Sequence, residues 1–552
     1  MTDRVVQEIL MLPLHLNIKS ISVKRVIEDV TSYFTHLDTL HFRGNRGRMS
    51  LTRENILANF GGKAWTVLIS LVVVPIYLNF LGTEAYGIVG IYASMTGVLA
   101  ILDLGLGTIL SQEMARLANA KDAIQFKRQT TRALEVVYWA TAVAIGVGVW
   151  AASPFLASSW VNAVELPVAT VETALMLAGV AIASQWPFAL YSGGMIGLER
   201  QVQLNIISVG CATLKAVGAI FVLVYVAKSV TVFFAWQAVV GGLQTVLLMV
   251  LFWRAIDGGF WYTRFEWKTL RRLLPAGFAL AGIATTAVIV TQIDKVVLVR
   301  FAPLDVVGIY TLVATVSGVL FHLPGPVYSA FLPRLTREAA QGDAVALSRS
   351  YHLGCQIVAA LVLPVAAVGS VFSGDLLSLW TGNLQVAQQG AGLLSLLLAG
   401  NAASSLLQLP YALQLAGGTM KVPLLVNVIS AATMVPLALG LITLAGAKGA
   451  AWAWLILNLG YVFGGMWAFH RAMLPKELFR WYARDVLPAL LISVLVAASA
   501  RAFLPDNVGV LGMVFWIAAS VLAAVIGSIG VSSELRGPTL GLAIRSVLRS
   551  NK

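Results

Sequence analysis

The chain has 552 residues, of which 58% are hydrophobic and 11% charged, with a formal charge of +13. Soluble proteins of ordinary composition carry about 25% charged and 45–50% apolar residues. These figures exclude a soluble enzyme, a secreted scaffold and a disordered protein, and they point to lipid as the solvent for most of the chain.

Residues 1–48 come first and carry two open readings. They are an upstream start, or Val23, Val26, Ile27, Val30 and Phe34 form one face of an interfacial helix. No cleavable signal peptide is expected, because a charged start, an apolar run and a small-residue site do not follow in order. Fourteen apolar stretches then follow, roughly 56–81, 86–110, 133–157, 172–194, 204–226, 231–254, 275–300, 307–331, 353–375, 389–413, 422–445, 449–470, 485–504 and 508–530. Each is long enough to cross a hydrocarbon core of ~30 Å at ~1.5 Å per residue. The expected fold is an all-α polytopic membrane protein with about 14 transmembrane helices. After the last, Leu540, Ile544 and Leu548 share a face and predict another surface helix.

An even number of spans puts both termini on one side, and the positive-inside rule selects the cytoplasm. The inner segments then hold 31 of the 38 Lys and Arg residues. The outer loops hold Lys228, Arg300, Lys448 and Arg501, while Lys63, Lys215 and Lys295 lie within spans. This asymmetry accounts for the basic charge, so no nucleic-acid partner is expected. Trp253, Trp261, Trp267 and Trp481 read as interface anchors. Cys211 and Cys355 sit in apolar runs, with neither a disulfide framework nor metal-ligand spacing.

A shift of 221 residues aligns 80–123 with 301–344 without a gap, with 12 of 44 positions identical. The pairs include Gly87/Gly308, Gly97/Gly318, Arg116/Arg337 and Asp122/Asp343, and Glu84/Asp305 is a conservative match. Spans 1–2 therefore correspond to spans 7–8 in the same orientation. This predicts two six-helix lobes related by a parallel repeat, with two extra helices, and a substrate path between the lobes. The expected boundaries are 1–48 for an N-terminal cytoplasmic extension, 49–270 for the N-lobe and 271–474 for the C-lobe. Helices 13–14 occupy 475–530 and a cytoplasmic tail 531–552.

Ionisable groups inside spans are costly and face a cavity or a partner. Lys63 and Asp103 lie at similar depth on neighbouring spans, so an ion pair between them is plausible; a structural role and a cavity role both stay open. Lys215 sits near the midplane of span 5, which contains no acid. It is the strongest candidate for a substrate-facing group. Asp294 and Lys295 are adjacent near the outer end of span 7 and are not expected to pair face to face. Pro324 and Pro326 should break span 8, either as a static kink or as a gate, and His322 beside them is a weaker proton-carrier candidate. The intramembrane bias of three cations to two acids suits an anionic headgroup. The sequence has no phosphate-binding loop of the G-x-x-x-x-G-K-[ST] type. Its longest predicted outer loop, about 158–171, leaves no room for a catalytic domain. A transporter without covalent chemistry or cofactor is the expectation.

Several short runs, taken in chain order, form a series. They are Asn59-Phe60-Gly61, Pro75-Ile76-Tyr77, Leu81-Gly82-Thr83-Glu84-Ala85-Tyr86-Gly87 and Leu102-Asp103-Leu104-Gly105-Leu106-Gly107. Gly197-Leu198-Glu199-Arg200, Gln292-Ile293-Asp294-Lys295, Val307-Gly308-Ile309-Tyr310 and Leu379-Trp380-Thr381-Gly382 continue the series. Together these runs resemble the polysaccharide flippases of the multidrug/oligosaccharidyl-lipid/polysaccharide exporter superfamily, a resemblance that covers about residues 49–530. It implies a Wzx-type flippase of the bacterial inner membrane, moving an undecaprenyl-pyrophosphate-linked oligosaccharide for O-antigen, capsule or exopolysaccharide. Lys215, assisted by Lys63 and Lys295, would meet the headgroup. Asp103 and Asp294 would hold those cations or carry a coupling ion, H+ or Na+. Membrane lipids and a polysaccharide polymerase or export protein are the further partners implied. A lipid II flippase, a cation-coupled multidrug exporter and a non-transporting scaffold of a polysaccharide assembly complex remain alternatives. Lys63 in span 1, where an exporter would favour an acid, weighs against the exporter.

Overall fold

The computed structural model describes residues 46–117, 124–259, 262–417, 421–506 and 508–536. The two expected surface helices, over residues 23–34 and 540–548, and Trp261 lie outside them. The chain divides into a unit Met1–Glu54 and a unit Asn55–Lys552; apart from the first turns of the helix that begins at Arg46, everything below concerns the second. In lipid every backbone N–H and C=O must be satisfied internally. Accordingly the described residues are almost wholly helical, with one isolated bridge, Asn162 to Pro303, as the sole strand-like pairing among them.

Spans 1 and 2 begin as one element, α1 (Arg46–Leu99), broken at Gly82. Its φ of 83° lies in the left-handed region that glycine adopts without steric cost. After a 3-10 turn, Ala100–Asp103, α2 (Leu106–Arg116) completes span 2. Span 3 is α3 (Ile124–Phe155). Span 4 is α4 (Val168–Gln185) and α5 (Phe188–Gly197), parted at Pro187. Spans 5 and 6 are α6 (Gln201–Tyr225) and α7 (Val230–Ala255).

The second lobe opens with α8 (Trp267–Phe301). Only Ala302 and Pro303 separate it from α9 (Leu304–Ser317), the boundary hardest to place from hydropathy. Span 8 breaks as expected. A 3-10 turn, Gly318–His322, leads to α10 (Gly325–Gln341), with Pro324 as its N-cap and Pro326 in its first turn. Proline is tolerated there because those N–H groups have no intrahelical partner anyway. Spans 9 and 10 are α11 (Ala344–Val371) with α12 (Ser373–Thr381), then α13 (Leu384–Leu406) with α14 (Gln408–Ala416). Spans 11 and 12 share α15 (Lys421–Gly460), broken at Gly446 with φ 56°, and continue through a π turn into α16 (Met466–Met473). The extra helices are α17 (Leu487–Ala502) and α18 (Val510–Val531).

Eleven helices among the described residues are long and apolar enough to cross a membrane. The expected fourteen differ from that figure for a physical reason. Spans 1–2 and 11–12 each run as one bent helix, and α8 is not among the eleven. The chain is a multi-pass membrane protein. On α18, Leu511, Phe515, Leu522 and Ile526 are exposed, while Ile517, Ser520, Ala524 and Ser528 are buried against the protein. That is one lipid face and one packing face.

The repeat is visible as a reciprocal contact. A β-carbon on Gly87 would collide with the Leu304 carbonyl oxygen, and one on Gly308 with the Thr83 carbonyl oxygen. Thr83/Leu304 and Gly87/Gly308 are both repeat pairs, so the same contact occurs twice across the lobe boundary. The loop before α4 bonds to both corners. Val164, Glu165 and Leu166 donate their backbone N–H groups to the buried Glu84 carboxylate, at 2.8 Å for Glu165 and 3.1 Å for Leu166. Asn162 donates through Nδ2 to the Arg300 carbonyl, and its own carbonyl accepts from Leu304 N–H, both at 2.9 Å. One loop thus ties the span 1–2 corner to the span 7–8 corner at the predicted outer end.

The extra helices pack on α11 and are fastened at both ends. At one end Arg501 bonds Asp375 at 2.7 Å. At the other, fully buried His352 meets Asp485 through Nδ1 and Glu477 through Nε2, the latter at 3.2 Å. Gln356 donates to Asp485 at 2.8 Å and accepts from the Glu534 N–H at 2.9 Å. Two tryptophans expected at the interface are core residues instead: Trp253 and Trp481 are buried, while Trp267 is exposed. Burial pushes the Glu477 carboxyl up, but the Ser348 hydroxyl, the His352 ring and Arg480 outweigh it and hold the group below its ordinary value of 4.5. A depressed carboxyl contributes stability above its unfolded value, and that stability is lost as pH falls through the folded value. Thermal melts should therefore decline on acidification below about pH 4.5. Glu477→Gln should flatten that decline; identical profiles would remove Glu477 from the fastening.

Candidate functional site

The site grows from close packing of α4, α6 and α7. Small residues bring these helices together: Gly241 lies against Ser184, Gly218 against Trp236, and Ala216 and Ala219 are buried. Lys215 of α6 is carried between its neighbours. Its Nζ donates to Gln185 Oε1 of α4 at 2.8 Å and to Gln244 Oε1 of α7 at 3.0 Å. Gln244 is 6% exposed, and Lys215 and Gln185 are half-buried. The partners are neutral carbonyls, so the ammonium is solvated but not neutralised. An ammonium has three donors, and the two glutamines take two of them. Among the described residues no carboxylate pairs with this half-buried cation, so its remaining donor is chemically able to meet an anionic oxygen.

Lys63 does not pair with Asp103. Asp103 instead accepts a hydrogen bond from the Tyr138 hydroxyl of α3, and Lys63 is exposed. Equal depth on neighbouring helices fixes height but not azimuth. Lys63 shares a polar stripe with Asn59, Thr66 and Ser70, spaced for one helix face. Asn59 bonds Gln201 and Asn205 at the foot of α6.

Asp294 and Lys295 do touch, contrary to the expectation from their adjacency: Nζ lies 3.4 Å from the carboxylate. A long flexible side chain can fold back along its own helix, and Nζ also donates to the Thr291 carbonyl at 2.6 Å. Asp294 is 3% exposed and accepts from the Tyr310 hydroxyl of α9 at 2.7 Å. Both intramembrane aspartates are thus satisfied by tyrosines. Pro324 and Pro326 stand at the α10 start, with exposed His322 just before them.

Sequence reasoning passed over three groups. Gln185 and Gln244, which hold Lys215, carry no charge and do not stand out in a hydropathy reading. Glu135 did offer a signal, as an acid inside span 3. It is 1% exposed and accepts from the Tyr191 hydroxyl, from Trp253 Nε1 at 3.1 Å and from Arg132 at 2.7 Å. Glu135→Ala would leave two buried donors and a cation without this partner. It should destabilise the protein by about 3–5 kcal/mol, read as a large drop in melting temperature in detergent. An unchanged melt would show that the network is not structural.

With this geometry in place, comparison with known proteins adds the family. The family described as "Polysaccharide biosynthesis protein" matches residues 52–338. The chain belongs to that family. A second family, MatE, matches residues 281–439 of this polysaccharide-biosynthesis family member. Comparison with curated proteins gives no match. Among solved structures, the chain is similar to the lipid II flippase MurJ in an inward closed conformation. The TM-score is 0.66 at 11% identity, covering 87% of this chain and 98% of that one. It is also similar to an inward-facing multidrug resistance MATE family transporter of the MOP superfamily, with TM-score 0.57 at 18% identity, covering 76% and 96%. A Vibrio cholerae MATE transporter, VcmN, gives 0.52 at 15% identity, covering 78% and 99%. At these identities the likeness establishes a shared fold and nothing further.

Proposed function

We propose that this protein flips an undecaprenyl-pyrophosphate-linked oligosaccharide across the bacterial inner membrane, with both termini in the cytoplasm and without covalent catalysis. The observation that carries the reading is Lys215, a mid-membrane cation held by two neutral glutamines and so available to an anionic headgroup. Family membership supports a substrate from polysaccharide assembly. Sugar hydroxyls and a pyrophosphate are costly in hydrocarbon without partners, and a polar path between lobes removes that cost. Lys63, exposed on its polar stripe, and Lys295 assist at either end of the path. Asp103 and Asp294 position neighbouring helices through Tyr138 and Tyr310. The Pro324–Pro326 break is the joint at which span 8 bends as access alternates.

Deletion of the gene in its host, with lipid-linked oligosaccharides quantified by mass spectrometry, tests this. Completed repeat units should accumulate, surface polysaccharide should fall, and the wild-type gene should restore both. An unchanged lipid-linked pool with raised drug sensitivity would transfer the reading to a multidrug exporter. Accumulation of lipid II alone would transfer it to peptidoglycan assembly.

A further inference from the structure

The second lobe contains a cavity of about 310 Å³ bounded by α8, the α13–α14 junction, α15 and α16. These are spans 7, 10, 11 and 12. The Lys215 site is built from spans 4, 5 and 6, the repeat counterparts of spans 10, 11 and 12, although Lys215 itself corresponds to Pro436, a residue outside the cavity wall. Their chemistry differs. Among the described residues the cavity wall holds no Asp, Glu, Lys, Arg or His. It offers instead Thr291, Gln408, Asn427, Asn458, Tyr461 and the indole of Trp454. Each amide presents both a donor and an acceptor, the pairing that a neutral polyhydroxylated ligand needs. The indole is fixed, since Trp454 Nε1 donates to Asn401 at 2.7 Å. Asn458 is 1% exposed, and its Nδ2 is oriented by the Trp454 carbonyl at 2.8 Å. A few convergent polar groups set in an apolar wall, in a space of this size, is the ordinary form of a small-molecule site.

The cavity also borders the seam between lobes. Thr291 Oγ1 accepts from Gln292 Nε2 at 3.4 Å, and a β-carbon on Gly97 of the first lobe would collide with the same Gln292 amide.

We infer that this cavity seats a neutral sugar unit of the transported headgroup, while Lys215 on the counterpart helices of the first lobe holds the anionic part. The inference rests on the function proposed above and assigns the two halves of the repeat to two parts of one substrate.

The test is equilibrium binding to the purified full-length chain in lipid nanodiscs with three probes: farnesol, farnesyl pyrophosphate, and farnesyl pyrophosphate bearing N-acetylglucosamine on its terminal phosphate. Wild type should bind the sugar-bearing probe about tenfold more tightly than the bare pyrophosphate. Asn427→Ala and Asn458→Ala should each cut that ratio about fivefold and leave the affinity for bare pyrophosphate unchanged. Asn427 is half-buried, so its variant serves if loss of the buried Asn458 impairs folding. Lys215→Ala should weaken both phosphorylated probes towards farnesol. A wild-type ratio near one, or a ratio untouched by both asparagine variants, overturns the sugar seat. Phosphorylated probes that bind no better than farnesol to the wild type overturn the proposed function itself.

Discussion

Lys215→Ala is expected to lower flipping about 10- to 100-fold, the loss of one to two charge-assisted hydrogen bonds at about 1.5–3 kcal/mol each being ample for that effect. The readout is accumulated lipid-linked repeat units in a deletion strain complemented by the variant. Lys215→Met separates charge from volume and should behave like alanine. Lys215→Arg keeps the charge and should retain part of the activity. Gln185→Ala and Gln244→Ala should each cause a smaller loss, because they remove a support while leaving the cation. These glutamines would then differ from a purely structural pair by a KM that rises more than the maximal rate falls. Full activity of Lys215→Met at wild-type expression would dismiss the cationic reading of the site.

The second large effect is expected at the crossing of spans 2 and 8. Gly87→Val and Gly308→Val each drive a side chain into the carbonyl of the opposite helix, at Leu304 and Thr83 respectively. Overpacking commonly costs about 1–3 kcal/mol. Here the obstacle is backbone, so relief requires the helices to part. The three N–H groups held by Glu84, on Val164, Glu165 and Leu166, report the parting directly. Their hydrogen exchange should accelerate at least tenfold, roughly the effect of ~1.4 kcal/mol on the opening equilibrium. Because the contact is reciprocal, both variants should expose the same amides. Exchange unchanged in both would mean that the glycines are not what lets these two helices pack together.

Much of the fold was legible because the signals were of kinds that sequence carries directly. Long apolar runs located the helices, and glycine pairs located the repeat. Gly87 and Gly308 had to be small for the reason the structure supplies: each accepts the other's helix against its backbone. Lys215 was legible because a charge in a long apolar run is rare. Its partners were not, since neutral amides on spans 4 and 6 carry no comparable signal. The Lys63–Asp103 expectation failed because hydropathy gives depth but not rotation about the helix axis. Tyr138 took the aspartate from a direction that no one-dimensional reading contains. The His352–Asp485–Glu477 cluster went unnoticed because its members sit at span ends, where charge is read as topology. Trp253 and Trp481 were misplaced by the same habit.

The fastening of the two extra helices has a mechanical consequence. His352–Asp485 and Arg501–Asp375 grip span 9 near opposite ends, the first on α11 and the second on α12, and two separated points of attachment resist both sliding and pivoting. The pair therefore travels with span 9 as one body. The molecule is symmetric in its repeat but lopsided in its load: in the alternating access proposed above, one half would carry an added outrigger embedded in the bilayer, and the unburdened half would have the smaller lipid collar to displace.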